Sequence, residues 1–184
     1  MGFAQFPDRV QLAAYLLPRL ALDEAPRLLD ACTQFVDPWT ARIAQERGYR
    51  LIVCDATPET PDVVKVNLDA TLPWGAGHFR GVICSDTLEH VDRPSNALRE
   101  LARVTELGGF LILHIPVAGG KTGTFQAKSY PLAGKQPHDH KWALGTDILD
   151  MAIAAGYRRV AMFCSYDDER CRAAVMWILE RTPC

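Results

Sequence analysis

Residues Phe79 to Pro116 read FRGVICSDTLEHVDRPSNALRELARVTELGGFLILHIP and decide the fold of this chain. The stretch runs from an apolar strand through a short polar turn into an amphipathic helix, and then through a Gly-Gly turn into a second apolar strand. This pattern predicts a parallel β-α-β crossover. In an open α/β sheet, ligands bind at the carboxyl ends of the strands. The polar segment Ser85 to His90 follows the first strand at that place, so we expect the functional site there.

The rest of the chain predicts further strands and helices. Short apolar runs bounded by turn residues indicate strands, and apolar residues at helical spacing indicate helices. A tight polar turn joins the last two strands, which therefore form an antiparallel hairpin. The predicted fold class is α/β, a Rossmann-like, doubly wound, mostly parallel seven-stranded sheet with an antiparallel C-terminal hairpin. Strands are expected at 27–32, 50–54, 63–68, 79–85, 110–115, 158–165 and 171–179, and helices at 8–22, 38–47, 94–104 and 146–155.

Length and composition predict one domain, 1–184, without a transmembrane segment. The 184 residues are 48% hydrophobic, which is enough for a sizeable single core. An N-terminal helix is expected within 1–24, and the Gly-, Lys- and Pro-rich stretch 118–145 is expected to be a lid or substrate loop. The net charge of −2 and the lack of a basic patch argue against nucleic acid or an anionic membrane as partner.

The cysteines indicate the compartment. All six are scattered through the sequence, most of them in expected strands. This pattern is typical of buried, reduced thiols and predicts a cytoplasmic protein without a signal peptide. Met176 and Trp177 on the last strand suit either a core or a homodimer interface.

The quoted segment and its surroundings resemble the class I S-adenosylmethionine-dependent methyltransferases. The resemblance covers roughly 27–179 and includes the antiparallel last strand. It implies the Rossmann-like fold, S-adenosylmethionine as cofactor and methyl transfer to a small-molecule acceptor. The family pattern LPF…FD-V-x-x-LEH…P…L-x-E-x-x-R…G-G is matched in order and spacing by Leu72-Pro73-Trp74, 79–83, Leu88-Glu89-His90-Val91, Pro94, 98–104 and Gly108-Gly109.

The resemblance also implies which residues bind the cofactor. Asp55, at the end of the second strand, matches the carboxylate that accepts hydrogen bonds from the ribose hydroxyls. Asp69 and Ala70 match the pair beside the adenine, and the turn after the fourth strand matches the methionine side. The expected cofactor-binding residues are Asp30, Cys32, Asp55, Asp69, Ala70, Ser85, Asp86 and Thr87.

Histidines are the candidate catalytic residues. His90 would face the transfer site, and His138 or His140, together with Trp142, resembles a family histidine that precedes an aromatic residue before the last crossover helix. An imidazole takes up a proton near neutral pH, which suits a general base, whereas the alternative for His90 is packing with a backbone hydrogen bond. His138-Asp139-His140 lacks a third ligand at a recognised spacing, so no metal site is expected. His114 is expected to be a core or sheet-face residue.

The loop after the first strand departs from the family pattern. The family has an acidic residue followed by three glycines at alternate positions, whereas this chain reads Asp30-Ala31-Cys32-Thr33-Gln34-Phe35-Val36. The acidic residue is kept and every glycine is gone. Bulky side chains disfavour the conformations that glycine allows, so we expect the loop to take another path. Two alternatives follow, an inactive pseudo-methyltransferase acting as a binding or scaffolding subunit, and a site for another nucleotide-like or carboxylate ligand.

Overall fold

The computed structural model describes residues 25–32, 36–117, 123–124, 140–167 and 172–183. The expected N-terminal helix within 1–24, most of the 118–145 loop and His138 lie outside the described residues. Within the described ranges, no helix combines the length and the apolar character that crossing a membrane requires.

Most of the described strands belong to one large sheet. They are β1 (Arg27–Ala31), β2 (Arg50–Asp55), β3 (Val63–Lys65), β4 (Phe79–Ser85), β5 (Thr105–Val117), β6 (Gly123–Thr124), β7 (Trp142–Ala143), β8 (Tyr157–Asp167) and β9 (Arg172–Arg181). Seven of them form a sheet in the order β3-β2-β1-β4-β5-β9-β8. The first five pair in parallel, whereas β9 lies antiparallel between β5 and β8. The expected fold class, including the C-terminal hairpin, is confirmed.

The described helices are α1 (Pro38–Glu46), α2 (Pro94–Val104) and α3 (Ile148–Ala154). At the start of α1 the Asp37 carboxylate accepts the Thr40 N–H at 2.7 Å, and a proline follows at the first helical position. Gly48, with φ of 82°, ends this helix as expected. By contrast, α3 begins at Ile148 instead of Thr146, because a turn in which the Leu149 N–H donates to the Thr146 carbonyl precedes it.

Helices cover both faces of the sheet, and alternate strand residues point to opposite faces. Leu28 of β1 packs in the cluster that contains residues of α1, whereas Leu29 packs in the larger cluster with Leu98 of α2. All three leucines are fully buried, and each buried leucine contributes about 1.5–3 kcal/mol relative to an exposed one. Met176 and Trp177 of β9 divide between the same two clusters and are buried, so both belong to the core.

Glu100 and Arg103 of α2 fasten the loop that precedes β4. The Leu72 N–H donates to Glu100 Oε2 at 2.8 Å, and the Arg103 guanidinium donates to the Trp74 carbonyl at 2.8 Å and to the Leu72 carbonyl at 3.1 Å. Arg103 also donates to both Glu100 oxygens, at 2.7 and 2.9 Å. These are the residues of the LPF and L-x-E-x-x-R parts of the family pattern. Their shared role is to hold the loop against the helix.

Two strands differ from their expected bounds by three residues or more at one end. β3 ends at Lys65 instead of residue 68, because the chain turns after Val66 and the Ala70 N–H bonds the Asn67 carbonyl. β5 begins at Thr105 instead of residue 110, because Thr105 already pairs with Phe79 and the register then shifts.

The Gly-Gly turn survives as an irregular stretch within β5. Gly108 has φ of 75°, and a Cβ at Gly109 would lie 2.7 Å from the Arg80 carbonyl oxygen. Separately, Gly123 of β6 pairs with Ala143 of β7 in a short antiparallel ribbon, a pairing that the sequence did not predict.

Candidate functional site

Three of the expected cofactor residues lie level at the carboxyl edge of the sheet. In the strand register, Ala31 of β1 stands opposite both Cys54 of β2 and Cys84 of β4. Parallel strands end at the same edge, which is where open α/β sheets bind their ligands. The residues that follow these positions along the three strands therefore meet at this edge. They are Cys32, Asp55 and Ser85.

Cys32, at the position of the first family glycine, has a positive φ, which glycine adopts readily. Its φ is 67°, and its N–H donates to the Cys54 carbonyl at 2.7 Å. A residue with a Cβ rarely adopts this region, at a cost of roughly 1–2 kcal/mol. Residues 33–35 of the loop lie outside the described part of the chain, so the expected change of path stays a prediction. The preceding acidic residue, Asp30, is 1% exposed.

Asp55 is buried and shapes the turn after β2. Its Oδ1 accepts from the Thr57 N–H at 2.7 Å and from the Thr57 hydroxyl at 3.2 Å. Such a bond to the backbone two residues on is the ordinary behaviour of an aspartate at a turn. Neither bond uses Oδ2, so one carboxylate oxygen remains for hydroxyl groups of a ligand.

Asp69 and Ala70 make several hydrogen bonds within the protein, and their expected place beside the adenine stays a prediction. The Asp69 carboxylate accepts the N–H groups of Asp92 and Arg93, both at 3.0 Å, just before α2. The Asp69 N–H donates to the side chain of Asn67 at 2.9 Å, and the Ala70 N–H donates to the Asn67 carbonyl at 3.1 Å. Each Asp69 oxygen accepts one of these N–H groups and keeps a second lone pair, whereas the Ala70 N–H is already donated to Asn67. The Asp69 carboxylate also stabilises the N-terminus of α2.

Ser85, Asp86 and His114 form a polar cluster between β4 and β5. The Ser85 hydroxyl donates to Asp86 Oδ2 at 3.0 Å and lies 3.1 Å from His114 Nδ1, which is 3.3 Å from Asp86 Oδ2. Asp86 itself has φ of 49°. The serine and the aspartate thus meet the same imidazole nitrogen, whereas a nucleophilic triad needs one at each nitrogen. The cluster fixes the turn and does not make a serine nucleophile.

Thr87 closes the turn below this cluster. Its hydroxyl donates to the Ser85 carbonyl at 2.8 Å, and the His90 N–H donates to the Thr87 carbonyl at 3.0 Å. Residues 88–90 therefore form a tight turn that presents Glu89 and His90 together.

Glu89, His90 and His140 come together beside this turn. One ligand-type atom from each residue lies within 4.8 Å of the other two. The His90 and His140 rings pack edge to face with their centroids 4.7 Å apart. Glu89 is 2% exposed, and burial raises the pKa of its carboxyl to about 7, opposed by the bond from its own N–H. The Asp86 carboxylate raises this pKa further, and His114 lowers it.

The sequence predicted His90 and His140 separately but missed two of their neighbours. Glu89 belongs to the recognised Leu-Glu-His segment, yet nothing marked its side chain as part of the cluster. His114 was expected to be a core or sheet-face residue, and its bond to Ser85 depends on their pairing across β4 and β5. A register worked out from the two strand patterns would have found this bond.

A cavity of about 360 Å³ lies elsewhere, at the N-terminal end of α2. Its lining includes the expected cofactor residues Asp69 and Ala70 but not Cys32, Asp55 or Ser85. The cavity is lined by Leu68, Asp69, Ala70, Thr71, Arg93, Asn96, Arg99 and Glu100.

Comparison with known protein families gives a match over part of the chain. Residues 36–113 match the methyltransferase domain family. Among curated proteins, none is significantly similar in sequence.

Solved structures of this fold resemble the chain over almost its whole length. A putative S-adenosylmethionine-dependent methyltransferase from Listeria monocytogenes has a TM-score of 0.69 at 10% identity, covering 94% of this chain and 97% of its own. The 1,6-didemethyltoxoflavin-N1-methyltransferase of Burkholderia thailandensis, solved with S-adenosylhomocysteine, has a TM-score of 0.68 at 16% identity, covering 95% and 78%. A 4+2 cyclase, SpnF, has a TM-score of 0.67 at 16% identity, covering 94% and 80%. At such identities the likeness establishes the fold.

Proposed function

We propose that this chain, of which residues 36–113 match the methyltransferase domain family, is a class I S-adenosylmethionine-dependent methyltransferase that binds S-adenosylmethionine and methylates a small-molecule acceptor. A similar fold serves a 4+2 cyclase, so the fold alone does not specify the reaction. The proposal rests on the residues at the carboxyl edge of the sheet.

The observation that carries the proposal is the backbone of Cys32. The glycines of the family loop let the chain turn tightly beneath the ligand, and a positive φ is the property that such a turn needs. Cys32 keeps that property, with φ of 67°, although it carries a side chain. The beginning of the family loop is therefore compatible with a bound cofactor.

Asp55 is our candidate for the ribose. It stands level with Cys32 at the neighbouring strand end, and its Oδ2 takes no part in the Thr57 turn. A carboxylate oxygen in that position accepts a hydrogen bond from a sugar hydroxyl. The described residues thus fit the ribose end of the cofactor, and each Asp69 carboxylate oxygen keeps a lone pair for the adenine end.

His90 and His140 are our candidates for the acceptor's side of the reaction. When bound, S-adenosylmethionine supplies an already activated methyl group, so the protein's task is to align the acceptor and to manage its proton. Two imidazoles beside the turn after β4, half-buried and in ring contact, suit the uptake of a proton from a hydroxyl or ammonium group. The 118–145 loop stays a prediction as the lid over that acceptor.

Calorimetric titration of S-adenosylmethionine into the purified protein tests the proposal. We expect saturable binding, and an Asp55→Ala variant should bind at least about tenfold more weakly, which corresponds to about 1.4 kcal/mol. Asp62→Ala is the matched control, because Asp62 is exposed and lies just before β3, away from the carboxyl ends. Equal affinity of wild type and Asp55→Ala would contradict the assignment of Asp55.

One observation favours a second function, a pseudo-methyltransferase that acts as a binding or scaffolding subunit. Cys32 brings a Cβ and a sulfur atom to a place where the family has only hydrogen, and bulkier residues follow it. If a folded protein gives no heat at millimolar S-adenosylmethionine, the scaffolding function replaces methyl transfer. Heat with another nucleoside or carboxylate compound, but not with S-adenosylmethionine, would identify a changed ligand.

A further inference from the structure

We propose that Glu89, His90 and His140 bind one divalent transition metal ion, of which zinc is the best match. The three residues offer one carboxylate oxygen and two imidazole nitrogens, and these atoms all lie within 4.8 Å of one another. Two imidazoles and a carboxylate form a recurring donor set for zinc and for neighbouring first-row metals. Two of the three ligands, Glu89 and His90, come from the turn after β4, and only His140 comes from the His138-Asp139-His140 stretch.

Backbone bonds hold the two halves of this set together before any ion arrives. The Glu89 carbonyl accepts the N–H of Lys141 at 2.7 Å and that of Trp142 at 3.1 Å. The Trp142 indole N–H also donates to the Val91 carbonyl at 2.8 Å. The segment that carries His140 is thereby fastened directly to the turn that carries Glu89. Such preorganisation lowers the entropy lost when an ion gathers the ligands.

An ion pair adds a further fastening at the protein surface. Lys141 Nζ lies 2.5 Å from Asp92 Oδ1, although both side chains are largely exposed and the pair contributes little alone. The ion pair lies next to the backbone hydrogen bonds and joins the same two segments.

The Glu89 carboxylate provides an independent reason to expect a ligand. Its residue is 2% exposed, and its Oε2 has no hydrogen-bond partner among the described residues. A buried carboxylate oxygen without a donor is costly, and the large majority of buried polar atoms have a partner. A cation held between this oxygen and the two imidazoles would satisfy it.

The arrangement of the histidine rings agrees with a shared ion. Two imidazoles bound to one tetrahedral zinc at Zn–N distances of about 2.0–2.1 Å have ring centroids about 5 Å apart. The observed centroid separation is 4.7 Å, with the planes at 85°. Side-chain rotations are enough to bring three atoms at most 4.8 Å apart to the spacing of ligands around one ion.

Three protein ligands leave a coordination position open. Structural zinc sites have four protein ligands, whereas an open position is the mark of a site that binds water or substrate. Insofar as the proposed methyl transfer holds, an oxygen or nitrogen of the acceptor would take that position, and the ion would orient it in place of direct proton uptake by His90 or His140. The metal site itself does not depend on that function, because its test needs no S-adenosylmethionine.

Titration of chelator-treated full-length protein with cobalt(II), followed by its visible spectrum, tests the proposal. We expect one tightly bound ion per chain with the absorption of a four- or five-coordinate nitrogen and oxygen site, displaced by zinc(II). Glu89→Gln, His90→Ala and His140→Ala should each weaken binding by tenfold or more, because each removes a ligand. The matched control is His78→Ala, since His78 packs edge to face on Phe79 and lies outside the cluster.

Several results would overturn the metal site. One is that folded protein, as judged by circular dichroism, binds no stoichiometric cobalt(II). Another is that all three ligand variants bind cobalt(II) with unchanged affinity. A strong sulfur-to-cobalt charge-transfer band would assign the ion to cysteine thiols instead. A loss of S-adenosylmethionine binding with cobalt binding intact would refute the proposed function and leave the metal site standing.

Discussion

At the scale of single residues, Cys32 combines a glycine-like backbone with a side chain. Its positive φ costs roughly 1–2 kcal/mol in a residue with a Cβ, and the side chain lies at the carboxyl edge. The protein tolerates this because the Cys32 N–H bonds the Cys54 carbonyl and the thiol packs against the main core cluster. The strain is confined to the place where a ligand would approach the backbone.

A Cys32→Gly substitution should therefore improve the site. The strain released roughly offsets the flexibility that glycine adds to the unfolded chain, so we expect the free energy of unfolding to change by less than about 1 kcal/mol. S-adenosylmethionine should bind several-fold more tightly, as calorimetry would measure. The control is Cys54→Gly inside β2, which should lower stability by about 2 kcal/mol or more. Weaker cofactor binding by Cys32→Gly would contradict the assigned role.

The buried thiols should be chemically inert. Burial raises the pKa of Cys54 to about 12, and it raises the pKa of Cys32 and Cys84 as well. The thiolate is the reactive form, so all three should resist iodoacetamide at pH 8 in the native protein and react in urea. Mass spectrometry of the digested protein measures the extent of alkylation at each cysteine. Modification of Cys54 or Cys84 as fast in the native as in the unfolded protein would show that the strand ends open.

At the scale of elements, α2 is held to the preceding loop by charged side chains that have backbone partners. Arg103→Ala removes bonds to the Leu72 and Trp74 carbonyls and to Glu100, and should lower the free energy of unfolding by about 2 kcal/mol. Urea denaturation monitored by circular dichroism measures the change.

The matched control for Arg103→Ala lies in α1. The Arg42–Glu46 pair is exposed and joins side chains alone, so Arg42→Ala should cost about 0.5 kcal/mol or less. Equal costs for the two arginine variants would mean that the bonds to the loop contribute nothing.

The Glu100–Arg103 pair also predicts a pH dependence. The hydrogen bond from Arg103 is the largest cause that lowers the pKa of Glu100 below its usual 4.5. The stabilisation is therefore fully present above about pH 4.5 and is lost as the pH falls through the lower folded value. Glu100→Gln should show a smaller loss of stability than wild type between pH 5 and pH 3. Parallel curves for the two proteins would contradict the pairing.

The irregular start of β5 depends on Gly109. A Cβ there would lie 2.7 Å from the Arg80 carbonyl and 2.8 Å from the Glu106 carbonyl, and neither backbone atom can move without breaking strand pairing. We expect Gly109→Ala to lower the free energy of unfolding by about 3 kcal/mol. Thermal denaturation should therefore show a much lower melting temperature. Gly75→Ala is the control, because a Cβ at Gly75 would meet nothing within 4 Å. An unchanged stability of Gly109→Ala would mean that the backbone around Gly109 is less tightly packed than described.

At the scale of the whole molecule, the sheet and its two-sided core followed from the sequence. The bounds of β4 and α2 agree with expectation to the residue because turn signals flank both: Ser85-Asp86 ends the strand, and Pro94 begins the helix. The expected bounds failed at Thr105, where pairing with Phe79 begins before the two glycines. The local sequence pattern does not specify the register in which Thr105 pairs with Phe79.

The candidate site was predicted only in part for a related reason. The level position of Asp55 follows from the parallel pairing of strands, which the sequence pattern implies. The meeting of Glu89 with His140 does not, because it depends on the Glu89 carbonyl bonding a segment distant in sequence. Likewise, the bonds from Asp69 to the N–H groups before α2 reveal a structural role that the residue type alone would not separate from ligand binding.

The central claim is that the carboxyl edge of the sheet binds S-adenosylmethionine despite the missing glycines. The most direct test is a nitrogen–proton correlation spectrum recorded during titration with S-adenosylmethionine. We predict saturable shifts concentrated at the amides of Cys32, Asp55 and Asp86, with those of Arg27 and Arg50 at the opposite strand ends unchanged. Shifts confined to the cavity beside α2, or no shifts at millimolar ligand, would contradict the claim.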